Sequence, residues 1–263
     1  MLKNVCPNVL LKRSMRVVAM AFLSVAIVPF GGLLNINRML SSAQSVSVLD
    51  AIVSAQGVTT PGHRTLQMVG QVTRVAKPEP FRIIASSDEQ LRIEYGNSGK
   101  DTVVLGKKQS FHDDGEKFTY EKVNAGFSQL DITGLFLVEQ LRNRSVRIEE
   151  TKDQEIGGAA GQRIRVASDR NELHRGVRVD DRLNLYVDKS GVLVGVERSF
   201  YEGKPNAYIQ LFAFSDFRKT GDSFLPYRIE MYINTQRRES YQVDRYDFDL
   251  PVEAETFLGW RKK

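Results

Sequence analysis

The sequence predicts a mainly β (α+β) fold: a curved antiparallel sheet that forms an incomplete β-barrel, is covered by short helices and encloses an apolar cavity. Three observations predict it. Short segments with a hydropathy period of two recur along the chain, separated by turns rich in Gly, Asn and Asp. Only two segments have helical spacing instead. The sheet has more apolar inner surface than two short helices can fill, and the remaining volume predicts the cavity.

The first 43 residues differ in charge from the rest of the chain. They hold five basic residues and no acidic one, which leaves 32 basic and 32 acidic residues in the remainder. The basic region is followed by an apolar run, Val17–Leu34, and then by the small residues Ser41 and Ala43. This order is typical of a secretory signal peptide, so residues 1–43 are predicted to direct export.

The apolar run allows a second interpretation. It is just long enough to span a bilayer, so residues 17–34 belong either to a cleaved signal or to an uncleaved inner-membrane anchor. Pro29 and Gly31 interrupt the run near its end, which favours cleavage. Residues 44–263 contain no repeat and no long linker, and they are predicted to form a single domain.

The first half of this domain is predicted to contain one helix followed by strands. Apolar residues at helical spacing predict a short amphipathic helix over Val46–Gln56, which ends at Gly57. The period then changes to two, which predicts strands around Leu66–Thr73, Phe81–Ala85, Leu91–Tyr95, Thr102–Leu105, Gln109–His112 and Lys117–Val123.

The segment Ser128–Arg142 interrupts the strands and is predicted to be a second helix. Ser128 is placed as its N-cap and Asp131 at the capping-box position. Apolar side chains surround most of this helix, so it must be buried or must cover something apolar. Gly134 lowers its intrinsic stability by roughly 1 kcal/mol relative to Ala, which is compatible with a mobile lid.

The second half returns to a period of two. Strands are predicted over Val146–Glu149, Arg163–Ala167, Leu183–Val187, Val192–Phe200, Ala207–Phe217, Leu225–Ile233 and Ser240–Phe248. The strand containing Ile209 and Leu211 is apolar on both faces. In the last strand the apolar phase slips, which predicts a β-bulge near Asp244–Arg245. Pro226 is predicted at a strand edge or start because proline cannot donate a ladder hydrogen bond.

Catalytic signatures are missing from the sequence. The three histidines are isolated, and no zinc-protease, nucleophile-elbow or P-loop motif is present. Cys6 lies before the apolar run, so a mature chain has no cysteine for thiol chemistry or a disulfide scaffold. His112 beside Asp113, and the aspartates Asp244, Asp247 and Asp249, are interpreted as turn and surface residues in preference to metal ligands. We therefore expect that the protein is not an enzyme and that it binds neither a metal ion nor a cofactor.

Nucleic acid is also excluded as a partner by the distribution of charge. The surplus of basic residues lies within residues 1–43, and the domain itself carries as many acidic as basic residues. A neutral domain without a basic stripe lacks the electrostatic footprint that supplies affinity for phosphates.

Several short motifs resemble the periplasmic outer-membrane lipoprotein carrier and receptor superfamily (LolA/LolB-like). They are the export signal, the first helix, Pro80-Phe81-Arg82 at a strand start, the mid-chain helix, and Leu225-Pro226 before a long alternating strand. The resemblance implies a half-barrel over residues 44–263 whose apolar cavity shelters acyl chains. It also implies that Arg82 tethers the lid, although alternation with Phe81 and Ile83 equally permits an outward-facing arginine.

The predicted function is that of a periplasmic carrier that shelters acyl chains of lipoproteins or lipids for transfer toward the outer membrane. Its expected partners are an acylated lipoprotein or lipid and sorting proteins of the inner and outer membranes. The alternative is an envelope sensor or regulatory module of the same fold that binds lipoproteins or a protein partner. The candidate cavity and lid residues are Leu66, Met68, Phe81, Ile83, Leu91, Ile93, Leu135, Phe136, Val138, Leu141, Ile209, Leu211 and Met231.

Overall fold

The structure is a computed structural model that describes most of the chain from residue 47 onward. The described residues are 47–57, 63–74, 77–88, 90–97, 101–106, 110–112, 116–117, 128–142, 146–168, 173–174, 177–178, 182–200, 205 and 207–258. The predicted signal, including the apolar run of residues 17–34, lies outside them. Within these ranges, no helix has the length and apolar character needed to cross a membrane.

Helices account for a small part of the fold. Helix α1 spans residues 47–55 and is followed by a turn in which Gly57 has a φ of 75°. The second helical segment consists of a 3₁₀ helix, Ser128–Thr133, and helix α2, Leu135–Arg142. A further 3₁₀ helix, Ala254–Phe257, lies near the carboxy terminus.

Fifteen strands make up the rest of the regular structure among the described residues. They are β1 (Thr65–Thr73), β2 (Pro78–Ser86), β3 (Gln90–Tyr95), β4 (Asp101–Leu105), β5 (Ser110–His112), β6 (Glu116–Lys117), β7 (Val146–Ile156), β8 (Ala159–Ser168), β9 (Leu173–His174), β10 (Val177–Arg178), β11 (Arg182–Asp188), β12 (Leu193–Phe200), β13 (Tyr208–Thr220), β14 (Ser223–Ile233) and β15 (Gln236–Phe248).

One open antiparallel sheet contains thirteen of these strands, in the order β6-β5-β4-β3-β2-β1-β15-β14-β13-β12-β11-β8-β7. Most strands pair with their neighbours along the chain. The exceptions are β1, which pairs with β15, and β8, which pairs with β11, while β6 and β7 lie at opposite edges of the sheet. The sheet ends at β6 and β7 without closing, so the predicted incomplete barrel is confirmed. Strands β9 and β10 form a separate hairpin.

The predicted bulge in the last strand is confirmed. Val69 pairs with Arg245 and Gly70 with Val243, so Asp244 is the extra residue of β15. The bulge also explains the glycine opposite it, because a Cβ atom on Gly70 would lie 2.1 Å from the backbone oxygen of Gln242. Only a residue without a side chain tolerates so close an approach.

Pro226 lies inside β14 and not at its start. Its register partner is Phe217 of β13, whereas the ladder to β15 begins only at Arg228. One side of β14 is therefore a local edge at Pro226, where a missing N–H costs no ladder hydrogen bond. The hydroxyl of Tyr246 donates a hydrogen bond to the Pro226 carbonyl oxygen from that side.

Several predicted strand boundaries are corrected. Strands β7 and β8 extend to a two-residue turn, Gly157-Gly158, and are much longer than the alternation alone indicated. Their outer parts are polar on both faces, so hydropathy gave no signal there. Strand β6 begins at Glu116 and is described for two residues, while residues 118–127 of the predicted strand and of the loop after it lie outside the described ranges.

The predicted single helix over Ser128–Arg142 is wrong in one respect. Gly134 has a φ of 52°, a left-handed conformation that ends the 3₁₀ helix and starts α2 in a new direction. A Cβ atom at Gly134 would lie 3.2 Å from the ring of Phe214 on β13. Glycine is favoured at this break by its conformational freedom and by the close packing of the segment on the sheet.

Candidate functional site

The inner face of the sheet is apolar and is covered by both helical segments. A single hydrophobic cluster joins Leu49 and Ile52 of α1 with residues of α2 and of every long strand from β1 to β15. Eleven of the thirteen candidate residues lie in this cluster and are buried: Leu66, Met68, Phe81, Ile83, Leu91, Ile93, Leu135, Phe136, Val138, Leu141 and Met231. The structure therefore brings together sheet and lid candidates that are far apart in sequence.

Ile209 and Leu211 are not part of this surface. The inner face of β13 carries Gln210, Phe212 and Phe214, all buried, whereas the side chain of Ile209 is 41% exposed and Leu211 is half-buried on the other face. Their expected position on the inner face is corrected. Both faces of this strand are apolar, so a period of two could not tell which face is inside.

The residues 128–142 form a lid-like layer that we call the cover segment. In α2 every residue from Leu135 to Leu141 is buried, including Glu139 and Gln140. The 3₁₀ part is held locally by the hydroxyl of Thr133, which donates to the carbonyl oxygen of Leu130 at 2.6 Å. The prediction that this segment is buried on most sides is confirmed.

A buried ion pair connects the cover segment to the sheet. The guanidinium of Arg198 on β12 donates from Nε to Oδ2 of Asp131 and from Nη2 to Oδ1, both at 3.0 Å. The side chains are 11% and 2% exposed, respectively. Two parallel charge-assisted hydrogen bonds in a water-poor site fix the orientation of the partners as well as their distance. Asp131 thus anchors the cover segment to the sheet.

Contacts with α1 hold the other end of the cover segment. Arg142, the last residue of α2, forms an ion pair with Asp50 of α1. Helix α1 is itself fixed by Gln56, whose side-chain amide donates to the carbonyl oxygen of Phe224 at 3.1 Å. The backbone N–H of Phe224 donates in return to the carbonyl oxygen of Gln56 at 2.7 Å. Side-chain contacts and ion pairs, and not strand pairing, join the cover segment to the rest of the fold.

Arg82 points away from the cover segment. Its neighbours Phe81 and Ile83 are buried on the inner face, while Arg82 is exposed and donates from Nε to Oε1 of Gln67 at 2.8 Å on the outer face. The outward-facing alternative is therefore correct and the tether assignment is not supported. Arg198 makes the contact to the cover segment that the resemblance assigned to Arg82.

One end of the inner face is polar. Arg74, which follows β1, binds Oε1 of Glu79 at 2.7 Å and Oδ2 of Asp101 at 2.5 Å. Its guanidinium also lies over the ring of Tyr95, 3.9 Å from the centroid. These contacts join the ends of β1, β2, β3 and β4 and hold the guanidinium in a partly buried position.

A chain of hydroxyls continues from this network into the core. The hydroxyls of Tyr95 and Tyr241 are 3.1 Å apart, and that of Tyr241 donates to Oε2 of Glu239. Burial raises the pKa of both tyrosines and, as the largest cause, that of the Glu239 carboxyl. The hydrogen bond from Tyr241 and the charge of Arg74 act in the opposite direction on Glu239 without cancelling the effect of burial.

The shift at Glu239 makes stability depend on pH in a defined direction. Because its pKa is raised in the folded state, wild-type protein should lose stability as pH rises from the unfolded pKa of this carboxyl through its folded pKa. Glu239→Gln does not titrate and keeps an acceptor for Tyr241. The variant should therefore gain stability relative to wild type over that interval, as measured by urea unfolding at several pH values.

Glu230 provides a control of opposite sign. Burial acts to raise its pKa, but hydrogen bonds from Arg228, Arg237 and Tyr232 together outweigh burial and lower it. Glu230→Gln should therefore lose stability relative to wild type as pH rises above the folded pKa of Glu230. Parallel pH profiles for the two variants would contradict this account of Glu239.

The described ranges contain no group of three or more His, Cys, Asp or Glu side chains that could hold a metal ion. Asp249 instead accepts hydrogen bonds from the backbone N–H of Arg64 and from His63, each at 2.7 Å. Asp247 accepts from Gln67 at 3.0 Å and from Arg245 at 2.8 Å. His112 lies 3.5 Å from Oδ1 of Asp101, and Asp113 is outside the described ranges.

Comparison with known proteins returned solved structures but no family model and no curated protein. A LolA superfamily protein from Nitrosomonas europaea matches at 10% identity and a TM-score of 0.49, over 81% of this chain and 96% of that one. An outer-membrane lipoprotein-sorting protein domain from Vibrio parahaemolyticus matches at 12% identity and 0.45, over 82% and 97%. A DUF1329 family protein from Desulfovibrio piger matches at 9% identity and 0.48, over 82% and 97%.

The identities and the TM-scores are too low to transfer a family, a ligand or a residue role to this chain.

Proposed function

We propose that this protein is an exported carrier that shelters acyl chains of lipids or lipoproteins on the inner face of the sheet, beneath the cover segment. The observation that carries the proposal is how the cover is attached. Part of an extensive apolar face is covered by one short, broken helical segment that Asp131–Arg198 and Asp50–Arg142 hold in place. Such a cover can separate from the face without breaking any strand pairing.

The energetics favour a ligand that replaces the cover. Opening exposes inner-face side chains on which the cover segment packs, such as Phe214, to water, which is costly. An acyl chain on the same surface removes that cost, since each buried CH₂ contributes roughly 0.8 kcal/mol. A chain of ordinary lipid length therefore supplies enough free energy to hold the cover open, and its departure allows the cover to close again.

Export is part of the proposal. Residues 1–43 carry the features of a secretory signal, and the domain that follows has as many acidic as basic residues. The carrier would then work in the periplasm, receive acylated cargo at the inner membrane and deliver it to a receptor at the outer membrane. The single domain over 44–263 contains the whole inner face.

Native mass spectrometry of full-length protein extracted from membranes tests the proposal. We expect bound species with the mass of lipids or acylated peptides, and we expect a fluorescent fatty acid to be displaced by unlabelled fatty acid. Protein that carries no lipid and shows no displacement would contradict the carrier function. Co-purification of a stable protein partner without lipid would favour the sensor alternative.

A further inference from the structure

The sheet ends in a projecting hairpin whose outer strand has a free edge. β7 is eleven residues long and pairs only with β8 within the described part of the chain. After an irregularity between Ile148 and Glu150, the register with β8 is regular up to the turn Gly157-Gly158. All residues from Thr151 to Glu155 are exposed. The hairpin extends beyond the end of β11 by two residue pairs, Glu155–Ala160 and Ile156–Ala159.

The geometry of the turn determines which backbone groups are free. Gly157 and Gly158 have φ values of 58° and 84°, the combination that a two-residue type I′ hairpin requires. Ile156 and Ala159 close such a turn as a hydrogen-bonded pair. Since bonding alternates along the strand, the N–H and C=O groups of residues 155, 153 and 151 point away from β8. A strand edge of this kind is a template for another strand.

The side chains of Asp153 and Glu155, two of these residues, line an adjoining cleft. The cleft has a volume of about 820 Å³ and lies between the hairpin and the turn that joins β11 to β12. Asp153 and Glu155 line it from the hairpin, and Asp188 and Lys189 line it from the turn. Asp188 fixes that wall by accepting hydrogen bonds from the backbone N–H groups of Ser190 and Val192, at 2.8 and 3.0 Å.

The charges along the edge of β7 and in the cleft indicate which kind of strand can bind there. Three carboxylates and one ammonium line the cleft, so it is negative overall. A second copy of the chain is a poor fit, because the antiparallel register that overlaps residues 150–156 most fully places Asp153 opposite Asp153. Like charges directly opposite each other destabilise strand pairing. A strand with basic residues at every second position would instead place all of them on the cleft side.

We propose that the edge of β7 and this cleft bind an extended, lysine- or arginine-rich segment of a partner protein, which joins the sheet as an additional strand. Backbone hydrogen bonds to residues 151, 153 and 155 supply the alignment, and Asp153 and Glu155 select the basic side chains. Of the residues that line the cleft, only Val187 belongs to the hydrophobic cluster, and neither Asp153 nor Glu155 does. The interaction is therefore expected not to depend on acyl-chain binding.

Fluorescence anisotropy with two labelled peptides tests the proposal. The first alternates Thr and Lys over ten residues, and the second has the same composition with all lysines in one block. We expect the alternating peptide to bind at least about tenfold more tightly, because only its lysines share one face of a strand. The charge-reversal variant D153K/E155K should lose about tenfold or more of that affinity.

Two controls separate strand addition from simple charge attraction. The variant D244K/E253K reverses two exposed carboxylates elsewhere and should bind the alternating peptide as wild type does. A third peptide has the alternating sequence with N-methyl groups on the backbone nitrogens of its lysines. It keeps its charges but cannot form the backbone hydrogen bonds to the edge of β7, so it should lose most of its affinity. Equal binding of the alternating, blocked and N-methylated peptides, or no binding at all, would overturn the proposal.

Discussion

Replacing Asp131 with Ala is expected to lower the free energy of unfolding by about 3–5 kcal/mol, as measured by urea denaturation. The substitution leaves the Arg198 guanidinium, which is 11% exposed, without the carboxylate that accepts two of its hydrogen bonds. Removing one partner of a buried ion pair costs more than the pair contributes when it is intact. The variant should also open its cover segment more readily, which hydrogen exchange in α2 would detect.

Two further variants test whether burial of the charge causes the loss. The double variant D131L/R198M removes both charges together and should recover most of the stability. Asp216→Asn removes the charge from a pair with Arg218 at 2.6 Å and suits the positive φ of 53° at this position. Both partners are solvent-exposed, so stability should hardly change. If Asp131→Ala behaved like Asp216→Asn, the pair would not anchor the cover segment.

Phe212→Ala is expected to destabilise the protein by about 3–5 kcal/mol, because its side chain is fully buried on the inner face of β13 and its removal leaves a cavity. Chemical denaturation of the purified variant measures the loss. Phe224→Ala removes the same group from an exposed site, where only its stacking on Phe217 is lost, and should cost less than about 1.5 kcal/mol.

Leu211→Ala tests which face of β13 is inside. Leu211 is half-buried on the outer face, one residue away from Phe212. Its truncation should destabilise the protein much less than that of Phe212, since its neighbours there are partly open to solvent. Equal losses at Leu211 and Phe212 would mean that both faces of β13 are covered.

Much of the sheet could be predicted from the sequence because one of its faces is buried. Alternation fixed the strands around Leu66, Ile83 and Ile93, which are completely buried in the structure. The phase slip after Val243 located the bulge at Asp244, since one extra residue reverses the side that each following side chain faces. Such signals are local, so they can be recognised in the sequence without knowing the strand order.

The contacts that hold the cover segment could not be predicted in the same way. Asp131 and Arg198 are 67 positions apart, and neither belongs to a motif. Asp131 also fits a capping box, and this common local pattern gives no indication of its ion pair with Arg198. Ile209 and Leu211 were misplaced for a related reason: on a strand that is apolar on both faces, only packing against other elements decides which face is inner.

The sequence indicates only part of the break at Gly134. The low helix propensity of glycine is a local property, whereas its positive φ depends on the tertiary contact with Phe214 and on the change from the 3₁₀ helix to α2. Glycine in a helical pattern therefore indicated weakness without indicating where the chain turns.

Photo-cross-linking of a bound fatty acid tests the central claim most directly. A fatty acid with a diazirine near the end of its chain is added to the purified protein, activated by light and mapped by peptide mass spectrometry. The proposed function predicts cross-links on inner-face residues such as Met68, Ile83 and Ile93 and on Leu135–Leu141 of the cover segment, with excess unlabelled fatty acid preventing them. Cross-links confined to the outer face, around Ile209 and Leu211, would contradict acyl-chain binding beneath the cover segment.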